Sequence, residues 1–535
     1  MSYKNLILFM LISIGIILTP SYASEVDFNI GKVTLNGFTF DNQQLETPLA
    51  FVDDTLYFPL TVASAKAIGF DLKPVASGGI NLLPRSSFSS KDIFSNSVDM
   101  LPLEATVYAY GYPIISSKEI LIINETLYIA LQDTPALKHV LILDSMGNLK
   151  IETLGIYSTL PRIYSIYDFL DSDQLLRNQG NAATCWAYAA NTLFEIAVAK
   201  DTGTYENFSE SHMLENAPIP ATYESGGHFG ISSIYYLNHL GPMNLQNQNL
   251  YQLLSYEEIN NNLIRTKNAI FNHGAVLSSL HLNDNDKSIY NSKSGAYFNP
   301  FPNKVRSHEL VLVGWDDSYN RENFSTPPSR DGAFIAQNSF GNQWGKDGFL
   351  YISYDDVHIL NEVYALSQYE VRKGPEKLYF HDKTGTTHFE TFDNSQSSVG
   401  VNVFSTESSK EQLTSVSFKT AENPVDVEIY YGLLDQGLTL NTPILTKRIH
   451  NKGYQTLQLG GSITLPANSR FWIAVKFSGD SQFQVPIESP YPGIGYAITA
   501  NKGESYIGDG KTFVDLTEIR DKANVSIRVT TRLLK

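Results

Sequence analysis

Cys185, the single cysteine of this 535-residue chain, lies where a polar, turn-prone segment gives way to an alanine-rich, helix-forming one. A thiol in the first turn of a helix faces unpaired backbone N–H groups and the positive end of the helix dipole, and both favour the thiolate. The placement predicts a nucleophile whose reactive form is accessible near neutral pH. The alternative for a lone cysteine is a small buried hydrophobic residue without chemistry.

A thiolate nucleophile needs a base that holds and returns its proton, and a third group that orients the base. His308 is a candidate for the base because it opens an apolar, β-type run that ends in Gly314 and Trp315. Taken alone, a histidine before a strand is more often structural. The sequence therefore offers a thiol and an imidazole, 123 residues apart, as a candidate nucleophile and base.

Three segments in chain order resemble the active-site segments of papain-like cysteine peptidases. Residues 179–187 read Gln-Gly-Asn-Ala-Ala-Thr-Cys-Trp-Ala, and His308 stands six residues before a Gly-Trp pair. Residues 338–348 read Asn-Ser-Phe-Gly-Asn-Gln-Trp-Gly-Lys-Asp-Gly. The resemblance implies a two-lobed peptidase domain that hydrolyses protein or peptide substrates through an acyl-enzyme, with no cofactor and no metal.

The same resemblance assigns roles to individual residues. Cys185 is the expected nucleophile, His308 the base and Asn338 the residue that orients the imidazole, while Gln179 is the expected oxyanion donor. A second set is expected to bind substrate: Gly226, Gly227 and Trp344. An ordinary glycine turn is the alternative interpretation of the Gly226-Gly227 pair.

The chain departs from the family pattern at several positions. The family's usual disulfide would join the positions of Ala182 and Glu224, so both of its halves are absent here. Phe340 replaces a tryptophan that shields the His–Asn hydrogen bond, and we expect it to act as an aromatic lid. Ala183 stands where the family has glycine, which makes the oxyanion geometry the least certain part of the prediction.

Composition and residue pattern divide the chain into four parts. Residues 1–23 have the pattern of a secretory signal peptide, with an apolar run before a small-x-small cleavage site. Residues 24–153 form a β-rich module with a duplicated pattern, which resembles the copper amine oxidase N-terminal or stalk-like modules of exported bacterial proteins. Residues 154–370 carry the peptidase motifs. In residues 371–535, short runs of alternating residues predict the strands of a β-sandwich. This region resembles the lectin-like domain that follows some bacterial papain-like peptidases.

The predicted fold class is therefore α+β: a papain-like peptidase domain between an N-terminal β-rich module and a C-terminal β-sandwich. With one cysteine no intramolecular disulfide can form, and the formal charge of −16 argues against a nucleic-acid partner. We expect a secreted protein, extracellular or at a bacterial cell surface or periplasm, without an integral membrane segment after signal cleavage.

Two functions remain open at this stage. The first is a secreted cysteine endopeptidase. The second is a surface adhesion or binding protein that keeps the peptidase fold with little or no turnover. The departures from the family pattern at Ala183 and Phe340 suggest this alternative. In either case a surface glycan or protein is a candidate partner of the C-terminal domain.

Overall fold

The computed structural model describes residues 160–392, 397–421, 424–460, 463–479, 484–491 and 498–534, together with thirteen strands between Val26 and Thr153. The chain divides into two compact units, Met1–Pro161 and Arg162–Lys535. The predicted signal peptide, residues 1–23, lies outside the described residues. Among the residues that the structure describes, no helix is both long enough and apolar enough to cross a membrane.

The first unit is described by its strands, which form three sheets. They are β1 Val26–Asp27, β2 Lys32–Leu35, β3 Phe38–Asp41, β4 Ala50–Val52, β5 Thr55–Pro59, β6 Phe70–Pro74, β7 Ile80–Pro84, β8 Val107–Ala109, β9 Tyr112–Pro113, β10 Ile120–Ile123, β11 Thr126–Ala130, β12 His139–Leu143 and β13 Leu149–Thr153.

The duplicated sequence pattern of this unit corresponds to paired strands. Its two copies of Thr-Leu-Tyr form β5 and β11, which pair antiparallel with Ile129 opposite Phe58. The residue pattern from Lys32 to Phe40 predicts a single strand, but the structure has two strands here, which pair with Leu35 opposite Phe38. The reason is the Asn-Gly dipeptide between them, which is typical of a two-residue hairpin connection. The helix-like segment around residues 63–68 lies outside the described residues.

The second unit begins with the elements that carry the peptidase motifs. They are β14 Ile163–Ser165, α1 Cys185–Thr202, α2 Glu210–Asn216, α3 Phe229–Leu237, β15 Tyr251–Ile259, α4 Leu263–His273, β16 Val276–Leu280, β17 Tyr290–Asn291, β18 Ala296–Tyr297, β19 His308–Asp316, β20 Ala333–Gln337, β21 Phe349–Ser353 and β22 Val363–Val371. Short 3-10 turns span Ile166–Asp168, Ser172–Gln174 and Arg321–Asn323.

Its remaining elements are almost all strands. They are β23 Glu376–Tyr379, β24 His388–Glu390, β25 Ser397–Ser405, β26 Glu411–Thr420, β27 Val425–Leu433, β28 Leu445–Ile449, β29 Gly453–Gln458, β30 Thr464–Leu465, β31 Arg470–Ser478, β32 Val485–Glu488, β33 Ser505–Gly508, β34 Phe513–Asp515, α5 Leu516–Ile519, β35 Asn524–Val525 and β36 Ile527–Leu533. One 3-10 turn spans Leu434–Gln436.

The helix that begins at Cys185, α1, is the centre of the helical side of the peptidase region. Its sequence is rich in alanine, a strong helix former, and it ends at Gly203, whose φ of 73° is the left-handed conformation of a C-cap. Fourteen of its eighteen residues are buried. The sequence predicts an inward face of Ala189, Leu193 and Ala197; this face is too narrow, because α1 is enclosed by α2, α3 and the sheet.

Antiparallel pairing in the sheet explains how residues 30 positions apart can meet. Strand β19 begins at His308, and β20 ends at Gln337, one residue before Asn338. The two strands run antiparallel with Val311 opposite Gln337. The start of one strand and the end of the other therefore lie at the same edge of the sheet.

The sheet continues from the peptidase region into the C-terminal region. Strand β15 pairs with β22 on one side and with β29 on the other, where Tyr256 lies opposite Tyr454. Beyond β29 the order is β26, β36 and β23. A second sheet, β28-β27-β31-β25-β33-β34, packs against this part through an aliphatic and aromatic core, which makes a β-sandwich. The predicted α+β fold class is confirmed.

Candidate active site

Cys185 is the first residue of α1, as the sequence predicts. Thr184 caps the helix without a side-chain hydrogen bond, so its hydroxyl takes none of the first-turn N–H groups. The N–H groups of Cys185 and Trp186 lie close enough to the thiol to lower its pKa, and so does the N–H of Glu309. The contact with the Glu309 N–H places the thiol beside the first residues of β19, next to His308.

Burial nevertheless dominates the electrostatics of this pair. Burial raises the pKa of the Cys185 thiol, and the Glu309 carboxylate adds to the increase, which together outweigh the three N–H groups. Burial also lowers the pKa of His308 to about 4, although its hydrogen bond with Asn338 and the charge of Asp284 act the other way. Desolvation of both groups therefore favours the neutral thiol and the neutral imidazole, in contrast to the stabilised thiolate that the helix terminus predicts.

His308 and Asn338 are joined directly. The ring Nε2 of His308 lies 2.7 Å from Oδ1 of Asn338, and both residues are buried. Because an amide oxygen only accepts, this geometry sets Nε2 as the protonated nitrogen and leaves Nδ1 for proton exchange. Phe340 lies over the ring with a centroid distance of 5.2 Å, so an aromatic side chain covers the hydrogen bond, as the sequence suggests.

Gln179 is fixed next to this group by three hydrogen bonds. Its backbone N–H donates to the carbonyl of Ser339 at 2.8 Å, and its side-chain oxygen accepts from the Ser339 hydroxyl. Its amide nitrogen donates to the carbonyl of Ala182 at 2.6 Å. One amide N–H is thus used within the loop, and the second is the group that the proposed oxyanion role requires.

The two candidate substrate-binding glycines lie in the loop before α3, and one of them, Gly227, packs on the buried Trp186 ring. Gly226 has a φ of +69°, which explains glycine at that position. Gly227 is exposed, and a Cβ built on it would lie 2.5 Å from Cε2 of Trp186, the residue after the nucleophile. The Gly227 backbone therefore packs on the first turn of α1. Both glycines meet a structural requirement, and Gly227 lies beside the residue that follows Cys185; we call this pair the glycine rim.

Trp344, the third candidate for substrate binding, is half-buried in an aromatic cluster. Its ring stacks on Tyr290 at 5.7 Å and meets Phe340 edge-on at 5.4 Å. Its indole N–H donates to Asp284 at 3.1 Å. Trp344 therefore supports the Phe340 lid, and it also holds the carboxylate that acts on the His308 pKa.

A backbone hydrogen bond links the two segments that the missing disulfide would join. The N–H of Ala183 donates to the carbonyl of Tyr223 at 2.6 Å. These residues are the neighbours of Ala182 and Glu224. The loop before the nucleophile is therefore held to the glycine rim without a covalent link.

Sequence reasoning missed two carboxylates at this site. Glu309 directly follows His308, is buried, and affects the thiol pKa. Asp284 lies in an exposed Asn-Asp-Asn-Asp loop and affects the pKa of His308. The signal for Glu309 was a single acidic residue at the start of an apolar run. No comparable signal in the sequence marks Asp284.

Comparison with known protein families agrees with this architecture. Residues 232–367 match the family described as papain family cysteine protease, and residues 378–531 match the lectin like domain family. The first match contains His308 and Asn338 and begins after Cys185. The chain therefore carries a region that matches a family of cysteine-type peptidases, the papain family, followed by a region that matches the lectin like domain family.

The individual relatives are distant. Rat procathepsin L is 22% identical over 195 residues, and human cathepsin L2 is 24% identical over 200 residues. Each alignment covers 34% of this chain and 57% of the relative, so the chain spans just over half the length of these proteins.

Solved structures share the fold over a larger part of the chain. The cysteine protease and lectin-like domains of Cwp84, a surface layer associated protein of Clostridium difficile, superpose with a TM-score of 0.62 at 21% identity, covering 70% of this chain and 89% of that one. The clostridial cysteine protease Cwp84 after propeptide cleavage gives a TM-score of 0.61 at 21% identity, covering 67% and 96%. These likenesses establish the fold of the peptidase and lectin-like domains.

Proposed function

We propose that the chain is a secreted papain-like cysteine endopeptidase that hydrolyses peptide bonds through Cys185, His308 and Asn338. The observation that carries the proposal is the 2.7 Å hydrogen bond between His308 and Asn338, buried under Phe340, at the sheet edge that faces the first turn of α1. A thiol, a base and an orienting amide are the parts that acyl transfer by a thiol requires.

In the proposed mechanism, Nδ1 of His308 takes the proton of the Cys185 thiol as sulfur attacks the carbonyl carbon of the scissile peptide bond. The neutral pair becomes a thiolate and an imidazolium, and each charge stabilises the other. The Cys185 N–H and the free amide N–H of Gln179 donate to the oxyanion. The imidazolium then protonates the leaving amine, and the acyl-enzyme forms as the C–N bond breaks.

Deacylation uses the same groups in the reverse direction. Neutral His308 accepts a proton from a water molecule, whose oxygen attacks the thioester carbonyl. The tetrahedral intermediate collapses, the carbon–sulfur bond breaks, and the proton returns from His308 to sulfur. Asn338 keeps the imidazole in one orientation throughout, and Gly226 and Gly227 offer backbone groups to the peptide at the rim.

The location and partners of the chain are part of the same proposal. The signal-like residues 1–23 and the likeness to a surface layer associated protein support export to the cell surface or medium. We assign residues 24–153 to a stalk-like module, 154–370 to the peptidase and 371–535 to a domain that binds a surface glycan or protein. Tyr491, 55% exposed beside a cavity of about 330 Å³, is a candidate contact for that partner.

The test is hydrolysis of casein and of an internally quenched peptide by the full chain. Cys185→Ser should lower kcat/KM by at least about 10⁴-fold, as expected for loss of a nucleophile. Lys293→Ala, an exposed substitution, is the matched control and should leave the rate unchanged. Equal rates for Cys185→Ser and the original chain would overturn the assignment of the nucleophile.

A binding protein with little turnover is the second candidate. The observation in its favour is the electrostatic state of the pair, since burial raises the pKa of Cys185 and lowers that of His308. A folded, reduced chain that binds surface material but cleaves neither substrate would favour this candidate.

A further inference from the structure

We propose that Glu309 is a specificity-determining residue, which selects substrates that carry a cationic side chain close to the scissile bond. The inference rests on the proposed peptidase function, and it names the substrate class of that site. Four observations carry it: the position of Glu309, an unpartnered oxygen, the pairing of the nearby charges, and the effect of Glu309 on the thiol.

Glu309 links the two sides of the candidate site. It follows His308 on β19, and its Oε1 accepts a hydrogen bond from the N–H of Phe229, the first residue of α3, at 3.1 Å. The thiol of Cys185 lies beside the backbone N–H of Glu309. The carboxyl group therefore extends from the strand that carries the base to the helix that follows the Gly226-Gly227 rim.

The second carboxylate oxygen has no partner. Oε2 of Glu309 is buried and makes no hydrogen bond with any residue that the structure describes. The side chain as a whole is only 9% exposed. Buried polar atoms are normally paired, and leaving one unpaired costs free energy. An arriving donor group would remove this cost.

Nearby charges do not neutralise Glu309. Arg306, the cation that acts on it, is already paired with Glu362 at 2.6 Å and also donates to the hydroxyl of Ser279. In the described part of the chain, Glu309 forms no ion pair of its own. Burial raises the pKa of Glu309 to about 8, with a further increase from Glu362 that Arg306 partly offsets, so near neutral pH the carboxyl group mostly holds a proton in the absence of a further cation.

A cationic substrate group would stabilise the ionised form of Glu309. It would displace the proton and supply the counter-charge and donor that the buried carboxylate lacks. Its charge would also offset that of Glu309, so that the ionised carboxylate would not raise the pKa of the Cys185 thiol further. An apolar side chain would do neither. Because Oε2 is covered, access requires rotation about the Glu309 side-chain torsions, and the terminal torsion of glutamate is a soft one.

The test compares peptides that differ at one position. Internally quenched peptides carry lysine, acetyl-lysine or norleucine at the first, second or third residue before the cleaved bond, which mass spectrometry locates. The full chain should prefer lysine over both neutral residues at one of these positions by about tenfold or more in kcat/KM, the effect of one charge-assisted contact. Acetyl-lysine keeps the length of lysine without its charge, so this comparison needs no variant.

Variants then assign the preference to one residue. Glu309→Gln keeps the shape and the acceptor for Phe229, and it should reduce the lysine preference to about threefold or less. Glu322→Gln is the matched control, because it changes an exposed carboxylate that is paired with Arg321, and it should keep the preference. Rates are normalised to the fraction of thiol that a papain-type epoxide titrates.

Three results would overturn the inference. Cleavage that shows no preference for lysine at any position would overturn this inference but not the proposed function. A lysine preference that persists in Glu309→Gln would do the same. An increase in norleucine cleavage in Glu309→Ala, without lysine preference in the original chain, would show that Glu309 only fills space. A folded chain that neither reacts with the epoxide nor cleaves any peptide would overturn the proposed function, and this inference with it.

Discussion

At the scale of single residues, the candidate site depends on one buried hydrogen bond. Asn338→Ala removes the acceptor that holds Nε2 of His308 at 2.7 Å. We expect kcat to fall by about tenfold or more, the equivalent of roughly 1.4 kcal/mol for one lost hydrogen bond, with little change in KM. Steady-state kinetics on the quenched peptide measures this effect. An unchanged kcat in a variant with the original melting temperature would contradict the role of Asn338.

The pH dependence tests the electrostatics of His308. Its pKa is lowered to about 4, so the neutral base should persist to about that pH, and kcat/KM should fall only below it. Asp284 raises the pKa of His308, so Asp284→Asn should lower it further and move the acid limb of the kcat/KM profile to lower pH. Asp286→Asn, in the same exposed loop, should leave the limb in place. A shift to higher pH in Asp284→Asn would contradict this assignment.

The residues that sequence motifs could identify are those with fixed neighbours in the chain. Gln179 and Cys185 lie in one segment, and His308 and Asn338 each open a recognisable run. Glu309 could not be found in this way, because its role depends on Phe229, which is 80 positions away. The direction of the thiol pKa was also wrong in the sequence analysis, since the helix terminus was apparent but the extent of burial was not.

At the scale of elements, α1 carries a buried carboxylate far from the thiol. Glu195 accepts from the N–H of Phe208 at 2.7 Å and lies 3.3 Å from Arg177. Burial raises its pKa to about 8 from an ordinary 4.5, so the folded state binds the proton more tightly than the unfolded state does. The stability associated with Glu195 is therefore complete below pH 4.5 and is lost as the pH rises towards 8.

Glu195→Gln should flatten this dependence. Glutamine keeps an acceptor for Phe208 and does not ionise, so the urea midpoint should fall less between pH 5 and pH 8 than in the original chain. Tryptophan fluorescence reports the transition, because Trp186 and Trp315 are buried in the same region. Glu206→Gln, in the following loop, is a control. An equal pH dependence in Glu195→Gln and the original chain would show that Glu195 is not the group responsible.

The elements themselves were predictable to different degrees. The β-type run after His308 forms β19, because its apolar residues are buried on both faces. The helix after Cys185 was also expected, but its nearly complete burial was not, since alanine is compatible with both a buried and a half-exposed face. The break between β2 and β3 was missed because the alternation of apolar residues runs through the Asn-Gly pair.

At the scale of the whole second unit, a buried arginine of the lectin-like region forms a hydrogen bond with the peptidase region. Arg528 on β36 contacts Asp382 at 3.2 Å and donates to the side chain of Asn238, at the end of α3, at 2.6 Å. Asn238 in turn donates to the carbonyl of Lys383 at 3.0 Å. Arg528 is only 1% exposed, so its removal leaves a buried, unpaired carboxylate.

Arg528→Met should therefore lower the free energy of unfolding by about 3–5 kcal/mol. Because β15 pairs with β29 across the two regions, peptidase activity and tryptophan fluorescence should be lost at the same reduced urea midpoint. Arg448→Met, on β28 in an exposed pair with Asp426, should cost at most about 1 kcal/mol. Peptidase activity that persists at the original midpoint in Arg528→Met would contradict the coupling of the two regions.

This joining could not be predicted from the sequence. The β-sandwich and the peptidase domain were each indicated by local patterns, but Tyr256 and Tyr454 are almost 200 positions apart. The alternation of a strand shows which face is buried and does not identify its neighbour. The pairing of β15 with β29 is therefore information that only the folded chain provides.

The central claim is that Cys185 is a nucleophile activated by His308. The most direct test is to treat the full chain with a papain-type epoxide and locate the adduct by peptide mass spectrometry, beside Cys185→Ala and His308→Ala. We expect one adduct per chain on Cys185, none in Cys185→Ala, and labelling slowed by about 10²-fold or more in His308→Ala. A folded, reduced chain that gains no adduct, or that is labelled equally fast without His308, would contradict it.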